Sequence, residues 1–144
     1  MQLGWQHQCK IVVCQTEHGQ TLASAVQNAK EGEKTTPVRT HVIDPCGHDL
    51  GYHAICDKAL FWFDKFAFFN NPISTFVVHD TDACNMCVQF ADEHKVLIEP
   101  LSACAFAALF KHASQFSSFQ KIVVIACGGN RCNCDLLCKW KQNK

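Results

Sequence analysis

An apolar run that ends in a glycine turn limits the folds that this chain can adopt. The segment Lys121-Ile-Val-Val-Ile-Ala126 is rich in β-branched residues, which favours a buried strand. A tight turn, Cys127-Gly-Gly-Asn130, follows it, and residues 135–141 have a helical pattern. Strand, glycine turn and helix in this order are typical of α/β proteins, in which ligands bind beyond the carboxyl ends of the strands.

The rest of the sequence continues this alternation of strands and helices. We predict strand-like or extended segments at residues 10–14, 73–78 and 95–98, helices at 21–30, 53–69, 83–94 and 101–113, and a loop at 114–118. The order favours an α/β fold with a mostly parallel sheet flanked by helices. A length of 144 residues is expected to form one domain.

The turn at residues 127–130 has the composition of a ligand-binding loop. Gly128 and Gly129 would let the backbone approach a ligand closely, and Cys127 would face the crevice at the end of the strand. The pattern alone leaves open a simpler interpretation, a plain turn with a buried cysteine, because short glycine turns are common.

The charge balance gives no general affinity for nucleic acid or for anionic membranes. Lys plus Arg and Asp plus Glu both number 13, so the formal net charge is zero. The longest apolar runs, near Phe61 and Ile122, are far shorter than the roughly 20 residues that span a bilayer. We therefore expect neither a nucleic acid nor a membrane as a partner.

The sequence contains eleven cysteines, a high count for its length. The odd number, together with a polar opening in place of a signal peptide, favours a reduced, cytoplasmic chain. Three groups have spacings that a metal or thiol site could use: Cys84-Asn-Met-Cys87, Cys46-x-His48 with His53-x-x-Cys56, and Cys132-x-Cys134-x3-Cys138. Zinc needs four converging ligands, and the first pair equally fits the buried face of a helix. A small metal or thiol protein stays an alternative.

Two blocks of the sequence resemble one enzyme family. The segment Lys121-Ile-Val-Val-Ile-Ala-Cys-Gly-Gly-Asn130 is similar to the segment of mammalian-type serine dehydratases that ends in Cys-Gly-Gly-Asn. The segment Lys95-Val-Leu-Ile-Glu-Pro-Leu-Ser-Ala-Cys-Ala-Phe-Ala-Ala-Leu109 resembles their Leu-Val-Glu-Pro-Ala-Cys-Gly-Ala-Ala-Leu-Ala-Ala segment, at a fitting distance. Weaker similarities extend towards the amino terminus as far as Gly4-Trp5. The chain thus resembles the serine dehydratase and threonine deaminase family of pyridoxal-phosphate-dependent lyases.

The resemblance implies a fold and a cofactor. It implies fold type II, the tryptophan synthase β-like fold, with residues 1–144 as its carboxy-terminal portion. It also implies that Cys127 faces the pyridine nitrogen of pyridoxal 5'-phosphate, with Gly128 and Gly129 beside the cofactor. The family acts on small amino acids, L-serine and L-threonine, which it deaminates to keto acids.

The family's Schiff-base lysine and phosphate loop are expected to precede the part of the fold that resembles this chain. None of the eleven lysines stands in the family's Ser-Phe-Lys context, so we assign no catalytic residue. We expect residues 1–144 to be inactive on their own and not to bind the cofactor covalently.

The family also has a monovalent-cation site built largely from carbonyl oxygens. The resemblance places this site at Leu50 and Tyr52, and it places the family's glutamate on Gln15, or on Thr16 if one residue is inserted. Neither of those two residues carries a carboxylate.

A portion of a larger fold is expected to expose apolar surface that a partner would cover. The partners that this predicts are a second copy of the chain, in a homodimer, or a full-length dehydratase. Three hypotheses stay open: an inactive relative of the dehydratases, a non-catalytic binding or regulatory partner of one, and a small cysteine-rich metal or thiol protein.

Overall fold

The computed structural model describes residues 9–29, 34–39, 54–67 and 73–142. Two strands, β1 (Val12–Thr16) and β2 (Ser74–Val78), form a parallel sheet, and a short 3-10 helix (Glu17–Gly19) follows β1. The helices of the described residues are α1 (Thr21–Asn28), α2 (Asp57–Ala67), α3 (Asp80–His94), α4 (Pro100–Lys111), α5 (Ala113–Phe116) and α6 (Cys134–Gln142). The predicted α/β class with a parallel sheet is confirmed.

The two strands are joined by a long crossover, as parallel pairing requires. Val12 lies opposite Ser74 and Thr16 lies opposite Val78, so both strands end at the same edge of the sheet. The residues that follow the strands therefore meet at this edge, although they are far apart in the sequence.

The main core lies between α3 and α4, which pack closely because small side chains line their contact. Its most deeply buried members, at 0–1% exposure, are Ala83, Cys87, Ala103, Cys104 and Ala108. Trp140 of α6 closes this core and is 5% exposed. A smaller cluster of Leu22, Ala25 and Leu60 joins α1 to α2.

Most predicted elements are present with shifted ends. The strand predicted at residues 10–14 begins at Val12, and α3 begins at Asp80, three residues before the predicted start. Residues 114–118, predicted as a loop, overlap the short helix α5. Local pattern locates an element better than it locates its ends, because end residues also depend on contacts with other elements.

The prediction of a buried strand at residues 121–126 is wrong. Residues 121–129 carry no regular secondary structure, and Val123 and Ile125 are 88% and 78% exposed. The extended segment predicted at 95–98 is likewise not in a strand. A strand needs hydrogen bonds from a neighbouring strand, and within the described residues none pairs with 121–126.

Candidate functional site

Cys127 is exposed, and its backbone is held by the first turn of α4. The Cys127 N–H donates to Ser102 Oγ at 3.1 Å, and the Ser102 hydroxyl in turn donates to the Cys127 carbonyl oxygen. Ser102 itself is buried, with 5% exposed. The anchor thus lies on the inside and the thiol on the outside, so Cys127 is not the buried cysteine that the plain-turn alternative expected.

Gly128 has a backbone conformation that a side chain would strain. Its φ of 84° lies in the left-handed region, which favours glycine. Its carbonyl oxygen accepts a hydrogen bond from the Glu99 N–H at 3.3 Å, and a Cβ at this position would lie 3.3 Å from the Glu99 carboxylate. The loop therefore lies directly against the residue that precedes α4.

Gly129 approaches the neighbouring backbone more closely than any side chain allows. A Cβ on Gly129 would lie only 2.3 Å from the Leu97 carbonyl oxygen. The packing of the loop on residues 97–99 is therefore enough to explain both glycines. That Gly128 and Gly129 lie beside a cofactor stays a prediction.

Glu99 joins the glycine loop to the start of α4. Its Oε1 accepts a hydrogen bond from the Arg131 N–H at 3.0 Å, and its carbonyl oxygen accepts from the N–H groups of Ser102 and Ala103 at 2.8 and 2.9 Å. Pro100 occupies the first turn of the helix, where its missing N–H costs nothing. No structural role was predicted for Glu99 or Ser102 from the sequence, although Glu-Pro before an apolar run indicates a helix start.

The residues after the loop fix it to α6. The Cys132 N–H donates to the Gly129 carbonyl oxygen at 3.1 Å, and Asn133 Oδ1 caps the helix by accepting from the Leu136 N–H at 3.0 Å. Burial raises the pKa of the Cys132 thiol, and the nearby Glu99 charge raises it further. Cys132 is thus a neutral packing residue, while Cys127 is the exposed thiol of this loop.

The cysteine groups suggested by spacing do not form a metal centre in the described part of the chain. Cys84 and Cys87 are 3% and 0% exposed and lie in the core between α3 and α4. Within the described ranges, no group of three or more potential ligands that converge includes a cysteine. Five residues named as candidates lie outside the described residues: Cys46, His48, Leu50, Tyr52 and His53.

Gln15, on which the resemblance places the family's glutamate, makes three hydrogen bonds through its side-chain amide. Its Oε1 accepts from the Ala23 N–H at 2.9 Å, and its Nε2 donates to the Gly19 carbonyl oxygen at 3.1 Å and to Thr21 Oγ1 at 3.4 Å. The two backbone partners fix the orientation of the amide. These contacts hold the Gln15 amide in place, and the monovalent-cation site that the resemblance implies stays a prediction.

A separate cleft of about 540 Å³ lies beside α2 and β1. Its walls are mostly apolar and include Val13, Leu22 and Phe63. Cys127 and the two glycines do not line it, so the cleft and the glycine loop are different candidate regions.

Comparison with known proteins identifies the class to which this fold and loop belong. The family described as pyridoxal-phosphate dependent enzyme matches residues 2–128. The chain therefore belongs to the pyridoxal-phosphate-dependent enzymes, as the resemblance implied. Within the described residues, no helix has the length and apolarity needed to cross a membrane.

Within that class the chain is similar to serine dehydratases. It is 26% identical to "Serine dehydratase-like" of Mus musculus over 138 residues, which covers 90% of this chain and 38% of that protein. It is 32% identical to "L-serine dehydratase/L-threonine deaminase" of Homo sapiens over 89 residues, 56% of this chain and 26% of that protein. This chain spans less than two fifths of the length of these relatives.

A solved structure has the same fold. The crystal structure of a fungal L-serine ammonia-lyase from Rhizomucor miehei matches with a TM-score of 0.74 at 20% sequence identity, over 94% of this chain and 41% of that one. At this identity the likeness shows the fold alone, and it confirms the predicted type II fold.

Proposed function

We propose that this chain forms the carboxy-terminal part of a pyridoxal-phosphate-dependent L-serine or L-threonine ammonia-lyase fold and presents Cys127 to the cofactor ring. The observation that carries the proposal is the exposed thiol of Cys127 on a backbone that Ser102 holds in place. When bound, the cofactor supplies an electron sink for loss of the substrate's β-hydroxyl. A thiol is a weak and uncharged hydrogen-bond partner, so Cys127 would keep the ring nitrogen unprotonated.

We also propose that residues 1–144 do not catalyse this reaction by themselves. Lys111 follows a phenylalanine, as the family's lysine does. Its side chain forms an ion pair with the Asp82 carboxylate. Lys121 is exposed in a segment without regular structure. A lysine that both captures the cofactor and moves a proton is not replaced by a lysine elsewhere, because such groups act as a unit.

Protection of the Cys127 thiol tests the cofactor assignment. Pyridoxamine phosphate has the ring and phosphate of the cofactor but no aldehyde, so it cannot react with lysines. At saturating pyridoxamine phosphate we expect slower alkylation of Cys127 by iodoacetamide, measured by peptide mass spectrometry. Cys134 is also exposed and lies seven residues further along, so it serves as the unprotected control. Equal alkylation rates at Cys127 with and without the ligand would overturn the assignment.

A second candidate function is docking onto a full-length dehydratase. Its support is the apolar segment 121–126, whose Val123 and Ile125 are largely exposed and which pairs with no strand among the described residues. An exposed apolar segment rich in β-branched residues can pair with a strand of a partner protein. This chain also spans less than two fifths of its relatives, in which further residues are available to cover such a segment.

Co-purification with a full-length serine dehydratase tests the docking function. Wild-type chain should elute with the dehydratase on size exclusion, whereas Val123→Asp should elute alone. Lys139→Glu changes an exposed charge on α6 and should leave the complex intact. Separate elution of the wild-type chain, or its elution as a homodimer without the dehydratase, would reject this function.

A further inference from the structure

Three side chains with metal-binding chemistry meet where the two parallel strands end. Glu17 and His18 follow β1 directly, and Asp80 lies two residues after β2. The register that sets Thr16 opposite Val78 brings these residues to one edge of the sheet. The carboxyl edge of a parallel sheet is where ligands bind in α/β folds.

The potential ligand atoms lie within reach of a single ion. One atom from each of Glu17, His18 and Asp80 lies within 4.8 Å of the others. His18 Nδ1 contacts Asp80 Oδ2 and is 4.0 Å from Glu17 Oε1. One imidazole and two carboxylates are donors that zinc and similar divalent ions accept.

Asp80 gives an independent reason to expect a bound cation. Its side chain is 0% exposed, and within the described residues its Oδ1 has no hydrogen-bond partner. A buried carboxylate oxygen without a partner is costly, so native proteins rarely leave one. The positive charge of a metal ion beside this carboxylate would remove the deficit.

The remaining contacts suit a site that an ion can enter. The side chains of Glu17 and His18 are 36% and 40% exposed, so they form the rim while Asp80 forms the base. His79 Nδ1 lies 2.7 Å from Glu17 Oε2 and orients this carboxylate. Such an outer hydrogen bond is the usual support of a metal ligand.

We propose that Glu17, His18 and Asp80 bind one divalent transition-metal ion, for which zinc is the probe. Three protein ligands leave a coordination position for water. The site differs from the cysteine groups suggested by spacing and from the monovalent-cation position that the family resemblance places at Leu50 and Tyr52. It does not depend on the proposed function of the chain.

Calorimetric titration of the metal-stripped chain with zinc tests the site, after the exposed thiols have been alkylated. We expect one zinc ion per chain, with at least tenfold weaker binding for His18→Ala and Asp80→Asn. His79→Ala should weaken binding about tenfold as the loss of a positioning residue. His94→Ala removes a histidine 3.9 Å from a glutamate elsewhere on the surface and should bind as wild type does.

A second readout identifies the ligand atoms. Cobalt(II) in the site should show visible absorption without a thiolate charge-transfer band. The proposal is overturned if zinc does not bind, if His18→Ala binds as tightly as His94→Ala, or if cobalt gives the thiolate band. His18 is partly exposed, so its variant is expected to stay folded even if Asp80→Asn does not.

Discussion

Replacing Ser102 with alanine removes both hydrogen bonds that hold the backbone of Cys127. Each such bond contributes about 0.5–1.5 kcal/mol net, so the free energy of unfolding should fall by about 2 kcal/mol. This corresponds to a factor of about 30 in the unfolding equilibrium. The glycine loop should also lose its fixed position, and pyridoxamine phosphate should no longer slow the alkylation of Cys127.

Urea titration followed by circular dichroism measures the change in stability. Ser117→Ala is the matched control, because Ser117 Oγ donates one exposed hydrogen bond to the Ser114 carbonyl oxygen at 2.8 Å. Its loss should change the free energy of unfolding by less than about 0.5 kcal/mol. If Ser102→Ala and Ser117→Ala are equally stable, Ser102 does not anchor the loop and the account of the site is wrong.

Three further predictions follow from packing, burial and exposure. Gly129→Ala would place a methyl group 2.3 Å from the Leu97 carbonyl oxygen, so urea titration should show a loss of about 1–3 kcal/mol, and an unchanged midpoint would contradict the packing. Burial raises the pKa of Cys104 to about 12 while the unfolded thiol ionises near 9, so the free energy of unfolding should fall by about 1.4 kcal/mol per pH unit between these values. Urea titrations across this range should show a shallower fall for Cys104→Ala, and equal slopes would refute the assignment. Exposed Val123 and Ile125 should bind the dye bis-ANS, Val123→Asp should weaken its fluorescence, and a wild-type chain that binds no dye would contradict the exposed surface.

Among the described residues, prediction from sequence was most accurate for helices that are buried by other described elements. The helices α3 and α4 bury each other's small side chains, and both segments were predicted as helices. Residues 121–126 have an equally clear apolar pattern, yet they are exposed and unpaired. Composition indicates that a segment tends to be buried, but it does not indicate which other segment buries it.

The same limit applies to the candidate sites. The glycine turn was evident from residues 127–130, whereas the hydrogen bonds that anchor it span 25 and 32 positions and form only because the fold brings their partners near. Glu17 and Asp80 are 63 positions apart and meet because β1 and β2 are parallel and in register. Short-range spacing instead raised Cys84 and Cys87 as one possible metal or thiol pair, and both are core residues.

These residues belong to the ammonia-lyase fold, and we expect that they do not carry out its chemistry unaided. Keto-acid release from L-serine and L-threonine by the purified 144-residue chain, with added pyridoxal phosphate and potassium, tests this expectation. D-serine and free cofactor without protein are the controls. We expect product formation no faster than in these controls. Release from the L-amino acids well above both controls would contradict it, because a lysine within these residues would then be acting in catalysis.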